Sequence, residues 1–187
     1  MNVLDIQEKA LNVYLQHRKE NPEFTFATRV KNTKGRLKKG YWFQGDESYI
    51  FTSPYKAGDS TSKTKTIGFV ISLDSDFTHS GIQIVFTDKS NQKHKSFYQE
   101  VLNAFNIEYK ENKTRYSLKV SGDSWEDSLK NFLEYDVAKI NELIKKNGLE
   151  DDFFVSEQEF KKNMQKIEAS RKSLEHEVII GNSNENS

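Results

Sequence analysis

The chain has 187 residues, with 28 Lys plus Arg against 28 Asp plus Glu, 30% charged and 35% hydrophobic residues, two Pro and no Cys. This length fits one domain with appendages, and a chain of this size buries roughly two thirds of its unfolded surface. The lack of Cys excludes a disulfide scaffold, thiolate metal sites and a cysteine nucleophile, no apolar run approaches the roughly 20 residues of a membrane span, and the acid-bearing N-terminus is unlike a secretory signal. A cytoplasmic protein with no membrane partner is expected.

Leu4, Leu11, Tyr14, Leu15 and Arg18 keep helical spacing, which predicts an amphipathic helix over 3–20 ended by Asn21-Pro22. Residues 40–55 are aromatic and β-prone on both sides of Gly45-Asp46-Glu47-Ser48, the pattern of a hairpin, with Pro54 at the end of its second strand. After a polar loop at 57–62, Ile67, Phe69, Ile71 and Leu73 alternate as a strand over 66–73. Ile82, Ile84 and Phe86 repeat that period, so 82–87 is expected to pair with it as a meander. Phe97, Val101 and Phe105 place a helix over 92–105, and Tyr116, Leu118 and Val120 a strand over 115–120. From a Ser124 cap to a Gly148 stop, Trp125, Leu129, Phe132, Leu133, Val137, Ile140 and Ile144 define a third helix.

Ser156-Glu157-Gln158-Glu159 has the capping-box pattern that opens a fourth helix. Its apolar positions thin out to Phe160, Met164, Ile167 and Leu174, so it is expected to lie partly free of the core. The resulting organisation is an α+β domain over 1–150, with a mainly antiparallel sheet of about five strands packed by helices. A helix over 151–178 completes a C-terminal helical pair, and a disordered tail or linker occupies 179–187.

The Walker A, dinucleotide-binding, nucleophile-elbow and zincin motifs are absent, and with them the usual signatures of an enzyme or a cofactor. His17, His79, His94 and His176 lack ligand-like spacing and read as solvated surface residues, and Asp74 and Asp76 read as turn formers. Asp88 followed by Glu108-Tyr109-Lys110 imitates a PD-(D/E)xK nuclease, whose carboxylates hold Mg²⁺ while the lysine helps activate water. The helix expected between Asp88 and Glu108 speaks against that alternative.

The zero net charge divides along the chain. Residues 29–65 hold nine cations against three acids, and residues 122–160 hold eleven acids against four lysines. Arg29, Lys31, Lys34, Arg36, Lys38 and Lys39 precede Tyr41-Trp42-Phe43, a pattern suited to phosphate contacts beside rings that can stack on bases. By strand alternation one face of that triplet is expected in the core and the other free. Lys63 and Lys65, in the same basic stretch, join Tyr41 and Trp42 in the candidate nucleic-acid set. The acidic helices offer another alternative, an adaptor surface for a basic protein partner.

The succession Phe24-Thr-Phe26, Arg29, Arg36-Leu37, Gly40-Tyr-Trp-Phe-Gln-Gly45, Glu47-Ser-Tyr49-Ile-Phe51 and Lys63-Thr-Lys65-Thr-Ile-Gly-Phe-Val70 resembles the N-terminal specificity domains of McrB-type GTPases. The later Val155-Ser-Glu157 and Phe160-Lys-Lys-Asn163 extend that resemblance. It implies a DNA-recognition module of a restriction or phage-defence system, reading double-stranded DNA that includes modified bases, with an AAA+ motor or nuclease as partner. This chain lacks the Walker motif and the length of the motor, so the GTPase part of the family pattern is missing.

Overall fold

The computed structural model describes residues 2–58 and 62–185. Residues 59–61 of the expected polar loop and the last two residues of the expected tail lie outside the described residues. Helix α1 (Val3–Glu20) begins where the Asn2 side chain accepts the Leu4 N–H at 2.6 Å and Asp5 accepts the Asn2 N–H in return. Its inward face carries Ile6, Ala10, Leu11 and Tyr14.

Strands β1 (Gln44–Gly45), β2 (Tyr49–Thr52), β3 (Ile67–Ser72), β4 (Gly81–Val85) and β5 (Arg115–Leu118) form one antiparallel sheet in chain order. The expected hairpin is present, but its first strand has only two residues. The carbonyls of Tyr41, Trp42 and Phe43, which would extend the ladder, are engaged by Arg29. At Gly45, φ is +115° and a Cβ would lie 2.1 Å from the Tyr49 carbonyl oxygen, so only glycine closes this turn. The register of β2 to β5 sends Ile50, Ile67, Phe69, Ile71, Ile82 and Ile84 to one side, where all are buried under helices. Burying each such side chain contributes about 1.5–3 kcal/mol, which fixes which side of the sheet the helices cover.

Helix α2 (Gln92–Ala104), capped by Asn91, bridges β4 and β5. Helix α3 (Trp125–Asn131) starts at the Ser124 cap and passes through a π-helical turn, Phe132–Asp136, into α4 (Val137–Lys146). The sequence predicts one regular helix here; the wider turn lies where the consecutive Phe132 and Leu133 both enter the core. A short helix α5 (Glu150–Phe153) was not expected. Its Phe153 is fully buried beside the rings of His94, Phe97 and Tyr98.

Helix α6 (Glu157–Glu185) runs antiparallel to α1, tied at one end by Arg18 to Glu157 and at the other by Arg171 to Glu8. Phe160, Met164 and Ile167 are buried, so its first half belongs to the core, more fully than the sparse stripe predicts. Its helical backbone also continues to Glu185, into the stretch expected to be a disordered tail. The observed architecture is α+β, as the order of elements predicts.

Candidate nucleic-acid interface

Residues 29–40 leave the core, make two 3₁₀ turns, Thr33–Gly35 and Leu37–Lys39, and return at the aromatic triplet. Lys34, Gly35 and Gly40 have φ of 55°, 70° and 98°, and the two glycines make this reversal accessible. The Asn32 side chain accepts the Lys38 N–H at 3.0 Å and Leu37 is buried, so the loop is fixed from inside.

Arg29 is the main strut. Only 8% exposed, it donates from Nε to the carbonyl oxygens of Tyr41 and Phe43 at 3.1 and 3.2 Å, and from Nη2 to Phe43 at 2.9 Å. Burial, followed by the nearby Arg36, pulls its pKa down from the usual guanidinium value. Its expected role as a phosphate contact is therefore corrected: the fork matches carbonyls of the chain that it braces. Arg36 is half-buried and divides its roles, donating to the Gly45 carbonyl at 2.7 Å while its guanidinium lies 5.5 Å from the centre of the Tyr41 ring.

The aromatic triplet is also corrected. Tyr41, Trp42 and Phe43 are all buried, so neither face of the run is free to stack on a base. Trp42 Nε1 donates to Glu8 at 2.9 Å and Tyr41 Oη donates to Glu47 at 2.8 Å. That last bond raises the tyrosine pKa and lowers the carboxyl's. The Phe43 N–H donates to the buried Gln7 of α1 at 2.8 Å. Period-2 alternation failed here because α1 covers what would have been the outer face.

Lys31, Lys34, Lys38 and Lys39 remain. All four are exposed, and among the described residues none takes part in an ion pair. Lys63 is exposed and Lys65 half-buried in the segment leading to β3.

Beside this loop is a partly enclosed pocket of about 40 Å³, walled by Phe43, Phe51 and Tyr55. Thr28 and Asn163 line it, only 8% and 6% exposed. Among the described residues the Thr28 hydroxyl is buried without a hydrogen-bond partner, and the Asn163 carboxamide lies across the same pocket. Sequence reading missed both, although Asn163 gave a signal: it is polar at an inward position between Phe160 and Ile167.

The other candidates separate. Asp88, Glu108 and Lys110 do not meet on adjacent strands, since α2 intervenes and residues 107–114 form an irregular turn. No acid or histidine cluster suited to a metal occurs among the described residues. His94, expected at the surface, is buried with Nε2 3.0 Å from the Asp152 carboxylate, because the α2–α5 contact encloses it. Asp74 is a turn former as expected, and its bonds from His79, Ser72 and Thr78 hold its carboxyl well below the usual range. No helix among the described residues is long and apolar enough to cross a membrane. No family model, curated protein or solved structure matches the chain.

Proposed function

We propose that this chain is a DNA-binding recognition module of a restriction or phage-defence system, gripping duplex phosphates with Lys31, Lys34, Lys38 and Lys39. The observation that carries the reading is the unpaired state of these four lysines on a loop braced by Arg29, Arg36 and Asn32. A rigid, unneutralised cationic loop releases counterions on meeting phosphate without first breaking an internal pair. The sequence resemblance to specificity domains of modification-dependent restriction supports the same class.

Base discrimination must come from groups other than phosphate contacts. The adjoining pocket supports a role in reading modified DNA, because it offers the Thr28 hydroxyl, which has no partner among the described residues, and the Asn163 carboxamide between aromatic walls. The pocket is small and partly enclosed, which suits a small substituent rather than a whole base. In the context of such a system, an AAA+ motor or nuclease would be the partner, and the module itself would be non-enzymatic.

The test replaces Lys31, Lys34, Lys38 and Lys39 by Glu and measures retention of plain and methylated duplexes at low salt. Binding is expected to fall at least 100-fold while circular dichroism is that of the parent. Undiminished binding by the correctly folded variant would overturn the assignment.

A further inference from the structure

The second side of the sheet meets α6 at its β1–β2 edge, where Gln44 and Phe51 share the pocket with Glu159 and Asn163, and is exposed at Arg115 and Ser117 of β5. Partners in an antiparallel register point the same way, so the pairings that send isoleucines to the core send Gln44, Tyr49, Ser72, Gln83, Arg115 and Ser117 to the opposite side. All six are half-buried or exposed. Although 28 of the 187 residues are acids, no strand position on this side is one. The face is closed where closure is needed: Phe51 is buried with its ring over Gly68, where a Cβ would come within 2.5 Å of the ring.

Cations stand at its two edges. Beyond β1 lies the lysine loop, joined to the strand by Arg36 at the Gly45 carbonyl, and exposed Lys63 shares the pocket with Gln44 and Phe51. On β5 the exposed Arg115 donates from Nη1 to Gln83 at 3.0 Å, which steadies its guanidinium above the sheet.

We infer that this face is the floor on which a nucleic-acid duplex lies, with Arg115 and Lys63 as phosphate contacts additional to the loop lysines. The inference rests on the proposed DNA-binding reading and extends it to a surface that the charge pattern along the sequence does not mark. Four interstrand steps of about 4.8 Å separate β1 from β5, roughly 19 Å. At about 3.4 Å per phosphate on each strand, a duplex spanning that width presents five or six phosphates per strand. The face contacts backbone rather than stacking bases, because it offers amides, hydroxyls and a guanidinium but only one half-exposed ring, Tyr49.

The experiment titrates a fluorescent DNA duplex in a salt series from about 50 to about 200 mM and compares the parent with Arg115→Gln/Lys63→Gln. Losing two phosphate contacts should lower the slope of log K against log salt by about 1.8 and weaken binding several-fold at low salt, with an unchanged urea midpoint. Ser117→Glu, which puts a carboxylate on the exposed face without touching the core, should weaken binding about 10-fold. If both variants bind like the parent while the loop-lysine variant does not, the face is overturned and the loop reading stands. If the parent itself does not retain duplex DNA, both readings fall together.

Discussion

Residues 31–39 and the helical region from Trp125 to Glu159 carry opposite charge and dispose of it in opposite ways. In the acidic region many carboxylates are engaged within the molecule. Glu126 pairs with Lys9, Asp127 with Lys130 and the Ser124 cap, Asp152 with His94, and Glu157 with Arg18 and Lys161. In the basic loop the four lysines have no such partner, and the two arginines hold the backbone that displays them. Opposite runs of sequence charge thus become a set of internal ties on one side and an unneutralised surface on the other. Charge density along a chain reports solvation; whether a charge is available to a partner depends on what folds beside it.

The sharpest way to break this contrast is at Arg29, the one cation of the basic segment that is almost wholly buried. Arg29→Ala leaves the Tyr41 and Phe43 carbonyls without their donor and should cost about 3 kcal/mol in urea unfolding. Arg29→Lys should not restore this, because an ammonium cannot span the carbonyls as the planar fork does. Unchanged stability with lost DNA binding would return Arg29 to the surface set.

A smaller effect, of opposite sign, is expected at Asn163. Asn163→Leu exchanges a largely buried carboxamide, which hydrogen-bonds no described residue, for a larger apolar side chain of the same branching that can extend into the adjoining pocket, so stability should rise by about 1 kcal/mol. Discrimination between methylated and plain duplex should decline in the same variant. A loss of stability would reveal that the amide is a structural group.

The smallest effect concerns the acidic side and its pH dependence. Arg18 holds the Glu157 carboxyl below its usual range, and His79 with Ser72 holds that of Asp74 well below. A carboxyl with a lowered folded pKa stabilises the fold above its unfolded value, about 4, and loses that contribution as pH falls through the folded value. Glu157→Gln should therefore lower the urea midpoint slightly at pH 7, and the difference from the parent should shrink below about pH 4. DNA retention at pH 7 should not change, because the loop lysines are untouched.

Much of the fold was legible in the sequence. Helix α1 was readable from five spaced residues and its Asn-Pro stop, and β3 from strict alternation. The Ser124 and Ser156 caps mark α3 and α6, as local hydrogen bonds between residues three apart. The misreadings arose where a distant element intervened. Tyr41 to Phe43 looked like a half-exposed strand until α1 covered its outer face through Gln7 and Glu8. His94 looked solvated until α5 closed over it, and α6 looked loosely attached until α1 supplied the other half of its seam.

The sequence by itself determined the order of the main elements, the α+β class and the existence of a basic segment, because caps, periodicity and composition act over a few residues. Only the tertiary structure decided which cations in that segment are free, which rings are core, and that Thr28 and Asn163 line one pocket. Those properties depend on burial and on hydrogen bonds between residues as far apart as Glu8 and Trp42, and local pattern carries no information about that separation.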